Sequence, residues 1–556
     1  MIGLNKIGLN QVQLNRLYLN APFPTYRKMA GGGGSGDGFP VLPGDVTRWH
    51  FGGLTNEMMA AMDDPRLEDA DGKGRFLSFK NFAWKGMSGV GGYGDENYLT
   101  FYKFTLDDYV FIASPPGVEH MNFTFRVTGL QPGNKLTLAF FGTTNTVYST
   151  WDKDGIYTVN SAVVEVGKPV YFYNGYGSTR GEFTIEIFPL YPGFILGDGV
   201  DDFAVTEKEL NFEDTYTVYT AFIPFQDDPS RNMILCGKND TKDFSINYSG
   251  THLNFKPSTG VNLAVRIDQF ALLVCKRNKD ITTIINLSTG ESRSLKSVEF
   301  ISNPGLYYLW RNVFATFHAK AAIAGQIIDN GHFTTDEEDE NILNWHKKQY
   351  PWLFPDQAWT VTGKTNEDED RATIANITGN GNDLILSNFG FAEGSGYNEE
   401  GEYAGYLVTD GVDDIASSNT IIYEADFTFI GEWKFIQKDD TVAGINSSSH
   451  LYIQNRYNRG ATVMINSTFE NKKNITDYMT FKAITSKGKA YDENWNEVDL
   501  LYGDGNKGPS GVNIGGQGGT EFCHMIFKNM ALYMNKVFSK DDCIKAYNYL
   551  QTLKAK

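Results

Sequence analysis

Apolar and polar residues alternate with a period of two along much of this chain, between turns built from Gly, Pro and Asn. Asn122-Phe-Thr-Phe-Arg-Val, Lys135-Leu-Thr-Leu-Ala-Phe-Phe, Val170-Tyr-Phe-Tyr and Glu182-Phe-Thr-Ile-Glu-Ile read as strands and predict a β-sandwich over residues 100–194. Thr215-Tyr-Thr-Val-Tyr-Thr-Ala-Phe and Ala425-Asp-Phe-Thr-Phe-Ile predict two more, over 195–355 and 407–556. Helices are expected mainly at 56–62, 336–348 and 540–553.

The last two sandwiches are one module written twice. The pentad Asp198-Gly199-Val200-Asp201-Asp202 recurs unchanged from Asp410 to Asp414. Ahead of each pentad lies a second repeated block. Trp49, Gly53, Thr55, Asn56 and Glu57 match Trp359, Gly363, Thr365, Asn366 and Glu367. After a small deletion, Gly72, Gly74, Leu77, Asn81, Phe82, Ser88 and Gly89 match Gly379, Gly381, Leu384, Asn388, Phe389, Ser395 and Gly396. Each copy closes alike, on Phe333-Thr334-Thr335-Asp336-Glu337 and on Phe538-Ser539-Lys540-Asp541-Asp542, where a hydroxyl residue caps a helix with an acid three positions on. Ordered matches of this kind mean a duplicated half. The first half holds roughly 100 more residues between Tyr93 and its pentad than the second holds after Tyr397, so a domain is inserted there. The expected division is an N-terminal segment 1–30, a Gly-rich linker 31–44, a connector block 45–99, the inserted sandwich 100–194, module one 195–355, a second connector 356–406 and module two 407–556.

Residues 2–20 have their own five-residue period. Ile2, Leu4, Ile7, Leu9, Val12, Leu14, Leu17 and Leu19 form an apolar stripe, with Asn5, Asn10, Asn15 and Asn20 at the turns. So short a segment cannot bury that stripe alone. It also has no acidic residue, although the whole chain carries a net charge of −18. Both features point to an anchor that docks on a partner or on sister copies, and a disordered tail is the plainer alternative. Strong negative charge without a basic patch argues against nucleic-acid binding. Neither a secretory leader nor a membrane span is legible.

Candidate chemistry is sparse. In the pentad, Asp-Gly suits a tight turn and the paired carboxylates can cap backbone N–H groups. Asp198, Asp201 and Asp202, or Asp410, Asp413 and Asp414, are also hard-oxygen candidates for Ca²⁺, in a spacing unlike the EF-hand; no other cofactor is expected. Sugar binding asks for aromatic faces beside amides or charged groups. Trp433, Asn455, Arg456, Tyr457, Tyr491 and Trp495 in the last module, with Tyr148 and Trp151 in the inserted one, offer this on expected turns, and core packing is the competing role for each. Trp84 and Phe391 sit at matched places and read as core. His332, His346 and His524 lack spaced partners and read as structural. Cys236 and Cys275 are open to pairing, though free buried thiols fit four scattered cysteines better. No His-Glu-x-x-His, Gly-x-Ser-x-Gly or Walker loop is present, so no catalytic residue is assigned.

A sandwich that begins on Asp-Gly-Val-Asp-Asp and ends on Phe-Ser/Thr-x-Asp-Asp/Glu resembles the laminin-G-like, concanavalin A-like lectin modules. The resemblance covers about half the chain, and the Glu-x-Asp-x-x-Glu triad of that fold's glycosidases is absent from both copies. With the Trp-x3-Gly-x-Thr-Asn-Glu and Asn-Phe blocks and the N-terminal pentads, the chain is also similar to virion proteins of tailed phages of gut Bacteroidales, the crAss-like group. The resemblance implies a non-enzymatic head or tail fibre or other appendage, made in a host cytoplasm and carried on the particle. It would be joined to other virion proteins through residues 1–30, be homo-oligomeric, a trimer by fibre analogy, and present lectin-like jelly rolls to host glycans. Alternatives are an appendage polysaccharide depolymerase or cell-surface glycosidase, and a bacterial adhesin. Deleting residues 1–30 should abolish incorporation into particles, scored by immunoblot of purified virions; undiminished incorporation would end the anchor assignment.

Overall fold

A computed structural model describes residues 38–555 without 55–57, 60, 83–101, 107–108, 114–119, 142–145, 164–168, 175–182, 188–190, 199–200, 225–231, 239–243, 250–251, 257–261, 267–268, 298–303, 312–317, 393, 402, 437–441, 448–449, 457–459, 466–472, 476–479, 501, 503–506 and 518–520. The fold is mainly β, and the strands assemble into three sandwiches, as the alternating pattern predicts.

The first module has an inner sheet ordered Asp45–His50, Lys320–Asn330, Tyr216–Pro224, Ala271–Arg277, Ile281–Asn286 and Glu291–Lys296, with Ile195–Asp198 added to Lys320–Asn330. Its outer sheet runs Asn262–Ala264, His252–Lys256, Ser245–Ser249, Asn232–Lys238, Tyr307–Leu309, Phe203–Thr206, Phe76–Lys80 and Arg66–Glu68. The second module repeats the plan. Met525–Met534 and Phe427–Phe435 lie at the centre of its inner sheet, and Leu384–Ser387, Ile415–Ser418 and Leu451–Arg456 belong to its outer one. The inserted unit is a smaller sandwich of two four-stranded sheets between Tyr102 and Ile187.

The connector blocks are not units of their own, which corrects the expected boundaries at 45–99 and 356–406. Asp45–His50 and Gln357–Thr360 each pair with the long last strand of the module's inner sheet, while Phe76–Lys80 and Leu384–Ser387 enter the outer sheets. A strand that takes its hydrogen bonds from a distant segment carries no local mark of that pairing.

The duplication extends to single hydrogen bonds. Trp49 Nε1 donates to the Arg75 carbonyl at 3.0 Å, and Trp359 Nε1 donates to that of Asn382 at 2.9 Å. Asn81 and Asn388 both adopt left-handed backbone, φ 68° and 69°, a conformation Asn tolerates better than other side-chain-bearing residues. Their Nδ2 groups donate to the carbonyls of Asp201 at 3.0 Å and Asp413 at 2.9 Å, so each ties the end of one outer strand to the pentad. Thr217 and Thr428 also correspond. Each hydroxyl donates to one carbonyl, of His332 or Lys536, and accepts from one amide, of Thr334 or Phe538.

That last pair corrects the motif alignment. Thr334, not Phe333, is equivalent to Phe538, and the helix caps are Thr335 and Ser539. Thr335 and Glu338 form a full capping box at α1 (Asp336–Gln349), and the Ser539 hydroxyl accepts from the Asp542 amide at α2 (Lys540–Thr552). Thr334 turns inward to donate to Asp339 Oδ1 at 2.7 Å. The expected helix at 56–62 falls mostly outside the described residues, of which Met58 and Met59 are helical.

Both inner sheets are buried on two faces. In Tyr216–Pro224, Val218 and Phe222 point into the first module's core, while Tyr219, Ala221 and Ile223 point into a second cluster. In the second module, Phe429 and Leu532 face the module's own core, whereas Ile430, Ala531 and Tyr533 face that same second cluster. α1, α2 and the segment 350–354 fill this shared layer, which also takes Ile156, Tyr191 and Phe194 from in and after the inserted sandwich. The modules therefore stand back to back, with their outer sheets on opposite sides.

Asp329 and His346 make stability depend on pH in opposite directions. Burial pushes the Asp329 carboxyl up to about 6, with His332 partly offsetting it, and burial lowers His346 to about 4. Between pH about 4 and 6 the folded state holds a proton on Asp329 that the unfolded chain has released, so that residue makes stability fall as pH rises. His346 does the opposite between about 4 and 6.5, because there the unfolded chain holds the proton. Replacing Asp329 with Asn should therefore leave stability near pH 4 little changed and raise it above pH 6 by roughly 2 kcal/mol relative to wild type, read by urea denaturation across that range. A second test concerns the Asn clamp. N388A, which loses the bond and forces Ala into φ 69°, should cost about 1–2 kcal/mol, and N388G less, in the same assay.

Candidate functional site

The pentad is a corner. In the second module the chain leaves the inner sheet at Tyr406–Val408, turns through Asp410–Asp414 and joins the outer sheet at Ile415–Ser418. Gly411 holds φ 76°, a backbone that side-chain-bearing residues rarely adopt, and a Cβ there would crowd the His524 backbone at 3.0 Å. Asp410 Oδ1 accepts the amides of Val412 at 2.7 Å and Asp413 at 3.3 Å, and Asp414 Oδ2 accepts the Asp410 amide at 2.8 Å. These are the capping bonds expected of the motif. Asp414 is fully buried, and its carboxyl is pushed up to about 6 by desolvation and by the negative charges of Asp410 and Asp413, against the easing effect of the Asp410 amide and the Ser395 hydroxyl. Val412, at the tip, is 70% exposed. In the first module Ile195–Asp198 and Phe203–Thr206 flank an equivalent corner where Asp202 is equally buried, while the Asp198 side chain and residues 199–200 lie outside the described residues.

The sugar-binding candidates separate sharply. Trp433, Tyr491 and Trp495 are 2%, 3% and 0% exposed, so none offers a face to a ligand, and their assignment as turn-borne platforms is corrected. Trp433 lies on the core side of Phe427–Phe435, its ring 5.3 Å from that of Phe435. Tyr491 and Trp495 belong to the shared layer, and Trp495 meets Tyr547 of α2 edge-on at 5.5 Å. Trp495 does sit on a turn, with φ 60° and its amide bonded to the Asp492 carbonyl, but that turn is pressed inward. Asn455 and Arg456 end the strand Leu451–Arg456 of the outer sheet, and Tyr148 lies in Thr146–Trp151; the side chains of all three, and Tyr457 altogether, lie outside the described residues. Trp151 remains. It is partly exposed at the end of its hairpin, with its ring edge-on to Phe125 at 5.0 Å and beside Tyr157 at 5.3 Å. Tyr157 is fixed in turn by a 2.7 Å bond to the Lys153 carbonyl. A tryptophan held this way keeps one side for a ligand at little entropic cost.

Other candidates take structural roles. His346 Nδ1 meets the Ile342 carbonyl at 3.0 Å, and His332 Nε2 meets Glu338 at 2.9 Å. All four cysteines are free and buried. Phe391 packs partly buried against the second core, while Trp84 and the stripe from Ile2 to Leu19 lie outside the described residues. Lys482 was not anticipated. It is almost buried over the rings of Trp495 and Tyr547, at 5.5 and 5.0 Å, and burial lowers its amine to about 8. Ile385 was missed as well. The strand Leu384–Ser387 buries Leu384 and Leu386 and leaves Ile385 half-exposed on the outer sheet, an alternation hidden by three consecutive apolar residues. Among the described residues no helix is long and apolar enough to cross a membrane.

No known protein family matches the chain. No curated protein matches it either. Solved structures that align with it include the binding domain of botulinum neurotoxin serotype C1, at 10% identity and a TM-score of 0.27 over 61% of this chain and 91% of that one. Another is a structure of botulinum neurotoxin type C, whose cell entry is described as dependent upon interaction with two ganglioside molecules, at 10% and 0.25 over 59% and 86%. A third is the VIP36 exoplasmic/lumenal domain in its Ca²⁺/Man3GlcNAc-bound form, at 7% and 0.20 over 27% and 84%. Scores this low carry no argument about ligand or activity, and the β-sandwich assignment rests on the strand pairing itself.

Proposed function

We propose that this chain is a non-enzymatic appendage protein of a phage particle, fastened through residues 1–30 and presenting its sandwiches to glycans on the host surface. The observation that carries the reading is the shared apolar layer: it fixes two equivalent lectin-like modules back to back, so both outer sheets face away from the body. Rigid display of repeated modules suits weak attachment made useful by multivalency, since a second contact on the same particle forms at high effective concentration. The inserted sandwich is held to the same body. Thr124 donates to Asn548 of α2 at 2.9 Å in a buried bond, and Arg126 lies 3.6 Å from Asp541. It thereby places Trp151 on a third surface.

The test is retention of the purified protein on immobilised capsular polysaccharide of the host, with W151A and W495A in parallel. W151A should weaken retention several-fold with an unchanged melting temperature. W495A should lose about 3–5 kcal/mol of stability, as expected for a large core truncation. Appearance of new reducing ends in the eluate would replace binding by depolymerisation, and absence of any retention would reject the glycan reading.

A further inference from the structure

Arg311 is a cation to which the described residues bring no counter-ion. It is partly exposed, its Cζ lies 3.5 Å from the centre of the Phe203 ring and 5.3 Å from that of Tyr308, and its Nε is buried without a hydrogen-bond partner. Phe203 and Tyr308 stand on the outward face of the first module's outer sheet, since their strand neighbours Ala204, Tyr307 and Leu309 belong to the core beneath. Two carboxylates beside this face are already engaged. Lys80, opposite Phe203, holds Asp64 at 2.6 Å, and Glu207 takes Arg66 at 3.4 Å and the Ser78 hydroxyl at 3.1 Å. Stacking therefore fixes the Arg311 guanidinium and leaves its charge and donors unspent.

The second copy shows that the turn itself does not need this arginine. Leu309 and Ile514 correspond, each opposite an alanine, Ala204 or Ala416, which brings Trp310 onto Gly515; both are left-handed, at φ 63° and 84°. Where the first copy has Phe203, Tyr308 and Arg311, the second has Ile415, Asn513 and Gly516. Both copies keep the backbone, and one alone lays an arginine on an aromatic ring.

We propose that Arg311 is the recognition group for the carboxylate of an acidic sugar, an assignment that rests on the glycan-binding function proposed for the chain. With its Nε side enclosed, the guanidinium presents its two Nη groups end-on, the parallel pair of donors that a carboxylate matches. One guanidinium neutralises one charge, and a chain of net charge −18 repels any excess, so a monoanion is favoured over a phosphate dianion. Val205, partly exposed on the same face as Phe203, adds apolar surface for the C–H side of a sugar ring.

The experiment is saturation-transfer NMR titration of the full-length protein with trigalacturonate and with its fully methyl-esterified form, for wild type, R311Q and R311K, with melting temperature as the check on folding. Wild type should bind the acid at least about tenfold more tightly than the ester, R311Q should lose that preference, and R311K should keep only part of it, because an ammonium supplies charge without the fork. Equal binding of acid and ester by wild type, or equal binding of the acid by wild type and R311Q, would overturn the site. Displacement of the acid by inorganic phosphate but not by acetate would overturn the carboxylate assignment. Wild type alone gives a further readout: raising NaCl should weaken binding of the acid and spare the ester, and a preference indifferent to salt would count against an ionic contact. If wild type and R311Q are retained equally on host polysaccharide, the Arg311 site falls and the glycan function stands; if wild type is not retained, the function itself falls.

Discussion

Two β-sheets that are apolar on both faces set the architecture. A sheet at the surface of a sandwich needs one buried face, and these inner sheets need two, so each must find cover on the side away from its own core. The cover is mutual. Tyr219, Ala221 and Ile223 of one sheet and Ile430, Ala531 and Tyr533 of the other meet across α1, α2 and residues 350–354. That layer joins the two inner sheets, and the outer sheets lie on the sides away from it.

Two lysines drawn into the layer are accommodated differently in the two copies. Beneath α1, Asp339 Oδ2 takes the Lys276 ammonium at 2.6 Å, and its Oδ1 accepts the hydroxyls of Tyr219 and Thr334, both at 2.7 Å. A buried ion pair of this kind holds only because every oxygen has a donor, and it fixes α1 in one register on the sheet. Beneath α2 no such pair forms among the described residues, and Lys482 rests on the rings of Trp495 and Tyr547. Duplication preserved the backbone staples made by Trp49 and Trp359, Asn81 and Asn388, and Thr217 and Thr428. Each of these meets a demand of the chain path: an orphan carbonyl, a left-handed residue, a helix entrance. The side-chain filling between helix and sheet was free to diverge, because apolar volume and a satisfied charge can be supplied in many ways.

The two pentads show how one motif carries two kinds of work. In the second copy the glycine and first aspartate make the turn, and in both copies the last aspartate is buried where the chain crosses between sheets. Asn388, matched from sequence without a role, proves to be the group that clamps this corner. The left-handed backbone it adopts explains why Asn, and not another amide or hydroxyl residue, stands at both positions.

Local periodicity was enough to place strands, three sandwiches and the two closing helices, and self-similarity pointed to a duplicated module with an insertion. These depend on backbone propensity and on matches within one chain, both of which are written in residue order. The single-residue slip between Phe333 and Phe538 came from matching letters where the helix cap, Thr335 or Ser539, is the equivalent point. Tertiary structure alone decided that Asp45–His50, Phe76–Lys80, Gln357–Thr360 and Leu384–Ser387 are strands of the sandwiches, that Trp433, Tyr491 and Trp495 lie inside, and that Trp151 is partly exposed. An aromatic beside a turn has the same local signature whether the turn faces water or a neighbouring sheet. What separates the two is the second buried face of the inner sheets, a property of distant segments meeting that no window of the sequence contains.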